Sequence, residues 1–256
     1  MLLKHRTLRM RSAAIILTLF STGCGSDNVL PPTAEQVLPQ NIEQRLPAID
    51  RRCAKLPGED FTIKPSKGGT NYFPESFGKA AQVCEHKGYP ECFPTIYDFE
   101  NEWYSKHWDA AGEPSLYERS TKTISAEAST LRFTWLPTFD HPVIVRIERS
   151  GSNARLVTKK LSGQGGYEPG TIEREIDRPL TSLELAKLDL ILSKTKILEM
   201  RATNCDGGTD GSQWIVEGVD YKGYVFVNRF SPNIGPVRAF GDFALNLTPW
   251  AVGGRY

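Results

Sequence analysis

The sequence predicts an α+β domain: a mainly antiparallel sheet of about five or six strands, with helices packed on one face and disulfides as staples. Three observations carry this prediction. Apolar residues alternate with period two in the second half of the chain, which is typical of strands. Apolar residues recur every three or four positions before and between these stretches, which is typical of helices. The chain also contains five cysteines. With 39% apolar and 24% charged residues, the 256-residue chain has the composition of a folded protein.

The first helical pattern covers residues 75–86 (ESFGKAAQVCEH), with Gly88 in the position that closes a helix. The second covers residues 95–111, where apolar and aromatic residues recur at helical spacing: Ile96, Phe99, Trp103, His107 and Ala110. Tyr97, Tyr104 and Trp108 form a second face. Either this helix is nearly enclosed by the core, or one aromatic row is presented to a partner.

From residue 131 onward the pattern becomes that of half-buried strands, as in Leu131, Phe133 and Trp135. The predicted strands are residues 131–135, 143–148, 154–161, 171–177, 214–219 and 224–230. A helix of about fourteen residues follows the fourth strand, because Thr181 and Glu184 have the spacing of a capping box. A last helix covers residues 239–247, which gives the order β-β-β-β-α-β-β-α.

The amino terminus has the pattern of a secretory signal peptide. Four basic residues within the first 12 precede the apolar stretch 13–20, and LFSTGC follows. This string resembles the lipobox of bacterial lipoproteins, with Ser21 where that family usually has Leu. The resemblance implies a signal peptide over 1–23 and a diacylglyceryl group on Cys24, with palmitate among the acyl chains. Gly25 after the cysteine implies the outer membrane, facing the periplasm.

Residues 24–52 read as the lipidated cysteine and a flexible tether, because prolines are spread through this polar stretch. The remainder, 53–256, is predicted to be a single globular domain. We divide it into a helical, cysteine-containing part over 53–120 and a sheet part over 121–256.

Without Cys24, four cysteines remain, which is the even set expected in an oxidising compartment. They can pair in three ways. We expect Cys84 to pair with Cys92 across a short loop, and Cys53 with Cys205. A zinc site that uses Cys84, His86 and Cys92 is the alternative, but its C-x7-C spacing is wider than structural zinc sites use.

Residues 206–217 resemble an EF-hand calcium loop, with Asp206, Asp210 and Glu217 as the carboxylates. Gly208 and Gln213 depart from that pattern, and a strand pattern begins where the second helix of an EF-hand belongs. An acidic turn that enters a strand explains the same residues. We therefore predict no metal and no cofactor.

Charge and motifs argue against nucleic-acid binding and against the common hydrolase sites. Removal of the signal peptide leaves 27 basic against 30 acidic residues without a basic cluster, so we predict no nucleic-acid binding. The chain contains no G-x-S-x-G, and its glutamate pairs, such as Glu100 with Glu102, have the spacing of ordinary surface charges.

A second resemblance concerns the body. The sequence is similar to a group of uncharacterised proteobacterial lipoproteins over three stretches: from about Glu113 (EPSL) through Leu131 to Trp135, from Gly166 to Gly170, and from Asp210 to Phe230 (DGSQWIVEG, YVFVNRFSP). That resemblance implies one globular domain, and no activity or site residues come with it.

Two functions remain open. The first is a lipid-anchored, non-catalytic module that binds another envelope or periplasmic protein, such as an assembly factor, an inhibitor or an immunity protein. The aromatic residues that could meet this partner are Tyr97, Tyr104, Trp108, Tyr221 and Tyr224. The second is a periplasmic hydrolase or ligand-binding enzyme with an unrecognised site.

Overall fold

The computed structural model describes residues 49–256, and a six-stranded antiparallel sheet forms their centre. Its strands are β3 (Ala128–Pro137), β4 (Val143–Ser150), β5 (Asn153–Leu161), β6 (Ile172–Pro179), β7 (Ser212–Asp220) and β8 (Gly223–Phe230). The spatial order is β6-β5-β4-β3-β7-β8, so β3 to β6 form a meander and the β7–β8 hairpin pairs with the other side of β3. The predicted α+β class and the number of strands in this sheet are confirmed.

Four α-helices accompany the sheet: α1 (Asp98–Ala110), α2 (Leu116–Ser120), α3 (Ser182–Thr195) and α4 (Pro236–Asn246). Three of them match predicted helices, and α2 was not predicted. The capping box that opens α3 is present, because the Thr181 hydroxyl accepts from the Glu184 N–H and the Glu184 carboxylate accepts from the Thr181 N–H. Pro236 starts α4 three residues before the predicted position, at a place where a missing N–H costs nothing.

The helices cover both faces of the sheet, whereas the sequence predicted cover on one face. On one side, α3 and α4 pack on residues such as Phe133, Val145 and Trp214. On the other side, α1, α2 and the segment 72–77 pack on residues such as Ile144 and Ile215. The second face carries enough polar residues to look solvated in the sequence, but its charged residues Arg132, Arg146, Lys159 and Glu217 are buried in ion pairs.

Residues 75–86 do not form the predicted helix. Glu75–Gly78 form one 3₁₀ turn, and Gln82–His86 form strand β1, which pairs with β2 (Tyr89–Phe93) in a separate two-stranded sheet. The two residues between these strands, Lys87 and Gly88, have φ angles of 50° and 82°. Two successive positive φ angles make the tight turn of a hairpin, so Gly88 serves a turn and not a helix end.

Two disulfides are present, Cys53–Cys92 and Cys84–Cys205, so the expected pairing was wrong although all four cysteines are bridged. In the hairpin, Cys92 lies opposite Val83 and Cys84 lies opposite Glu91. Because successive side chains of a strand point to opposite faces, Cys84 and Cys92 lie on opposite faces of the hairpin. Each therefore reaches a different segment, with Cα–Cα distances of 5.8 Å to Cys205 and 5.5 Å to Cys53.

The body includes at least three residues of the predicted tether, since the Asp50 N–H donates to the Ala81 carbonyl at 2.7 Å. The predicted signal peptide 1–23, the lipidated Cys24 and the tether up to residue 48 lie outside the described residues. Over 49–256, no helix combines the length and the apolar character needed to cross a membrane. The two disulfides indicate an oxidising, extracytoplasmic compartment.

Candidate functional site

Most of the aromatic residues singled out from the sequence belong to the core. Tyr104, Trp108 and Tyr224 are fully buried, so their rings cannot meet a partner. Tyr97 is partly exposed, and Tyr221 is 39% exposed with the Lys222 ammonium 5.4 Å from its ring centroid. Helix α1 thus directs the Tyr104 and Trp108 row inward.

Two aromatic rings of the other row predicted for this helix reach the surface, whereas Ile96 and His107 of that row are fully buried. Phe99 is 63% exposed, and Trp103, one turn further along, is partly exposed. These rings border a cleft of about 400 Å³ between α1, the β1–β2 hairpin and residues 203–208, which we call the aromatic cleft. Its walls include Phe93, Tyr97, Phe99, Trp103, Glu85, Glu100, Asp206, Gln213, Asn228 and the Cys84–Cys205 disulfide.

Ring packing holds the aromatic wall in place. The Tyr97 ring lies 5.3 Å from that of Phe61, 6.4 Å from that of Phe93 and 5.8 Å from that of Phe99, centroid to centroid. The Trp103 indole N–H donates to the Gly165 carbonyl. Rings spaced in this way attract each other beyond their area burial, so the wall is preorganised.

The cleft is acidic. Glu85, Glu100 and Asp206 contribute three carboxylates, and none of the described residues that line it is Lys or Arg. Burial raises the pKa of the Glu100 carboxyl, while hydrogen bonds from the Tyr97 N–H and the Tyr104 hydroxyl, each at 3.0 Å, oppose that increase. Burial followed by the charges of Glu100, Glu91 and Glu59 raises the pKa of Tyr97 to about 12.

Two buried amide side chains come to the cleft from the sheet. Gln213 on β7 and Asn228 on β8 are only 8% and 9% exposed, and they lie on the same face of the sheet as α1. The Asn228 amide donates to the Tyr104 hydroxyl at 3.0 Å. Among the described residues, neither Gln213 Oε1 nor Asn228 Oδ1 has a hydrogen-bond partner. A buried carbonyl without a donor is costly, so a donor from water, an ion or a ligand would stabilise it.

The resemblance of residues 206–217 to a calcium loop does not extend to the structure. Glu217 lies in the interior of β7, where its carboxylate accepts from Arg132 at 2.7 Å and from the Tyr224 hydroxyl at 2.8 Å. It is therefore committed elsewhere and does not approach Asp206 and Asp210 as a ligand. Across residues 49–256, no group of three His, Cys, Asp or Glu residues could hold a metal ion.

Glu217 instead belongs to a buried ionic network beneath α1 and α2. Glu113 lies 2.8 Å from Arg146, 3.0 Å from Lys159 and 3.7 Å from Arg132. The Arg132 guanidinium also lies 4.3 Å from the Trp108 ring centroid. Burial alone would raise the pKa of Glu113, but the three cations lower it overall. The network joins the α1–α2 connection to four strands, β3, β4, β5 and β7, which is a structural role.

His107 and His141 contact backbone carbonyls of neighbouring segments. Nδ1 of His107 lies 2.8 Å from the Trp103 carbonyl and Nε2 lies 3.3 Å from the Gln164 carbonyl, while burial lowers the pKa of the ring. Nδ1 of His141 lies 3.0 Å from the Gly163 carbonyl. Both rings thus fix the Gly-rich connection 163–170 against its neighbours.

A larger cavity, of about 730 Å³, lies between the carboxyl end of α3, the β8 edge and residues 49–50. Its charged residues are of both signs, with Lys196 and Arg201 beside Asp50 and Glu199. This mixture favours no particular ligand charge, in contrast to the aromatic cleft.

Comparison with known proteins leaves the site to be interpreted on its own chemistry: no protein-family model matches the chain, and no curated protein matches it. Phe99, Trp103 and Glu100 were recognised in the sequence without being assigned to a site, and Gln213 and Asn228 were not recognised as site residues. The spacing of Phe99 and Trp103 on α1 was visible in the sequence. The two amides were not recognisable, because they come from separate strands.

Proposed function

We propose that the protein is a bacterial envelope lipoprotein, anchored through Cys24, whose body is a non-catalytic module that binds another envelope or periplasmic protein. The observation that carries the binding role is the aromatic cleft, where exposed rings border carboxylates and two buried amide oxygens that lack hydrogen-bond partners among the described residues. Aromatic side chains are enriched at protein interfaces because they contribute large contact area with few rotatable bonds.

The anchor rests on the lipobox-like LFSTGC and on the extracytoplasmic location that the disulfides indicate. In this proposal the acyl chains on Cys24 hold the protein at the outer membrane on its periplasmic side. The test is mass spectrometry of the native protein with Cys24→Ser as the control. We expect a diacylglyceryl group on residue 24 of the wild type and release of the variant into the soluble fraction. An unacylated amino terminus would remove the anchor.

The partner site is tested by photo-crosslinking in cells. A photoreactive phenylalanine replaces Phe99 in the cleft or, as a control of matched exposure, Leu183 on α3, which packs on the opposite face of the sheet. We expect a discrete protein adduct at position 99 only. Equal labelling at both positions, or none at position 99, would contradict a partner site in the cleft.

The alternative function, a periplasmic hydrolase, draws on Glu100, because a carboxyl of raised pKa in a cleft can act as a general acid. Both of its oxygens already accept hydrogen bonds from Tyr97 and Tyr104, an arrangement that suits a carboxylate held as an acceptor. We therefore favour binding.

A further inference from the structure

The aromatic cleft is lined by hydrogen-bond acceptors, which are carboxylates and amide oxygens. Its three carboxylates come from the hairpin, α1 and the loop before β7, namely Glu85, Glu100 and Asp206. The amide oxygens of Gln213 and Asn228 add two buried acceptors that lack donors within the described part of the chain. A ligand that complements this set must supply several donors and positive charge.

The aromatic wall of the cleft also favours a positively charged ligand. The faces of Tyr, Trp and Phe rings carry negative electrostatic potential and attract ammonium and guanidinium groups. Tyr97, Phe99 and Trp103 flank Glu100 on α1 and its N-terminal cap, so rings and carboxylate act on the same space. Aliphatic methylene groups of a long basic side chain can pack on the rings while the charged end reaches the acceptors.

Nearby basic groups do not neutralise the cleft. Lys64 is paired with Asp98 at 3.3 Å, on the exposed side of α1. Arg229 acts electrostatically on Asp206, but its guanidinium donates to the carbonyls of Arg201, Ala202 and Asn228. Glu100 accepts hydrogen bonds from Tyr97 and Tyr104, and Asp206 accepts one from the Asn204 amide. Neither carboxylate forms a direct ion pair with a basic side chain among the described residues, so each keeps a charge that a ligand can meet.

We propose that the aromatic cleft receives a lysine or arginine side chain from a basic segment of the partner protein. The charged end lies among Glu100 and the oxygens of Gln213 and Asn228, and the methylene groups pack on Tyr97, Phe99 and Trp103. A cleft of about 400 Å³ accommodates one such side chain with its flanking backbone at the mouth. This inference rests on the proposed function and specifies the chemistry of the partner.

The test is an NMR titration of the folded body with three short capped peptides that differ only at the central residue. This residue is lysine, arginine or norleucine, which has the four side-chain carbons of lysine but no ammonium group. We expect the lysine and arginine peptides to shift the Trp103 indole resonance and to bind at least about tenfold more tightly than the norleucine peptide. Binding should weaken as salt is added, because charge attraction is screened.

Matched variants locate the interaction. Glu100→Gln removes the central charge and should weaken the basic peptides about tenfold, whereas Glu102→Gln, at an exposed position on the same helix, should leave binding unchanged. Phe99→Leu, at a residue that is largely exposed, should weaken binding about threefold without affecting the fold. Thermal unfolding of each variant confirms that it is folded.

Equal affinity for the norleucine peptide, or equal losses in Glu100→Gln and Glu102→Gln, would overturn the inference. Spermidine that binds more tightly than either basic peptide would assign the cleft to a free amine instead of a protein. The two proposals fail separately. A crosslinked adduct at position 99 without peptide binding refutes the basic segment alone, and peptide binding without an adduct refutes the partner protein.

Discussion

Buried charge explains why the sheet looks half-solvated in the sequence. Arg132 and Thr134 alternate with apolar residues along β3, and both are fully buried. Arg132 is paired with Glu217, and the Thr134 hydroxyl accepts from the Trp108 indole N–H at 2.9 Å. A strand that is polar on one side is usually solvated there. Here the polar side of the sheet packs against α1 and α2. The groups that pair with its polar side chains come from distant parts of the chain.

The first prediction concerns Glu113, the carboxylate shared by Arg146, Lys159 and Arg132. Glu113→Gln leaves three cations beneath α1 without their central anion, so we expect a loss of about 3–5 kcal/mol in the free energy of unfolding. Urea unfolding at pH 7 measures it. The control is Glu199→Gln, which removes an exposed pair with Lys196 and should cost less than about 1 kcal/mol. Equal losses would mean that the network contributes no more than a surface pair.

The second prediction concerns Gly241 in α4. A Cβ at this position would lie 2.4 Å from two Trp214 ring carbons and 2.7 Å from Phe133 Cζ. Alanine is favoured over glycine by about 1 kcal/mol in an exposed helix. The close approach of α4 to the sheet should reverse this sign, so we expect Gly241→Ala to destabilise the fold by about 1–3 kcal/mol.

Thermal unfolding measures the effect, with Gly254→Ala as the control, because nothing lies within 4 Å of a Cβ built there. A higher melting temperature for Gly241→Ala would mean that α4 packs on Trp214 less tightly than described.

At the scale of elements, the first half of the body was harder to predict than the second. Strands β3 to β8 have long alternating patterns, and α3 has its capping box, so local sequence identifies them. Strand β1 is short, and KAAQVCEH also has helical propensity. Its extended form depends on pairing with β2, on the positive φ angles of Lys87 and Gly88, and on the disulfide from Cys84.

The third prediction concerns the two disulfides, which close segments of very different length. Cys84–Cys205 spans 121 residues and Cys53–Cys92 spans 39. In the chain-entropy model, removal of the shorter bridge by a double alanine variant costs about 4 kcal/mol, and removal of the longer one costs about 1 kcal/mol more. Urea unfolding of the two variants makes the comparison.

Peptide mapping under non-reducing conditions tests the pairing itself. We expect fragments that join residue 53 to 92 and residue 84 to 205. A fragment that joins residue 84 to 92 would contradict the opposite orientation of these two side chains on the hairpin.

At the scale of the whole molecule, carboxylates whose pKa is lowered by folding set the response to acid. They are Asp50, Asp60, Glu113, Glu168, Glu173, Asp177 and Glu184. For Glu184 the hydrogen bond from Arg178 lowers the pKa from its ordinary 4.5 to about 2. Such groups stabilise the fold fully above their unfolded pKa, and that contribution is lost as the pH falls through the folded pKa.

The fourth prediction is therefore that the free energy of unfolding falls as the pH decreases from about 5 towards 2. Burial raises the pKa of Glu100, so its contribution to stability changes with pH in the opposite direction. The seven carboxylates of lowered pKa outnumber it. Urea unfolding at several pH values measures the trend, and Glu184→Gln should make it shallower. A stability that stays constant or increases between pH 5 and pH 3 would contradict this account.

Local patterns were enough to predict the antiparallel strands of the large sheet, the capped helix α3, the aromatic helix α1 and the bridging of four cysteines. Tertiary contacts were needed to show which aromatic row of α1 is buried, which cysteines pair, and that the polar side of the sheet is enclosed. These outcomes depend on contacts between residues far apart in the chain. The spacing of residues predicts a strand or a helix. Which side of that element is buried, and which cysteine pairs with which, depends on how distant segments pack together.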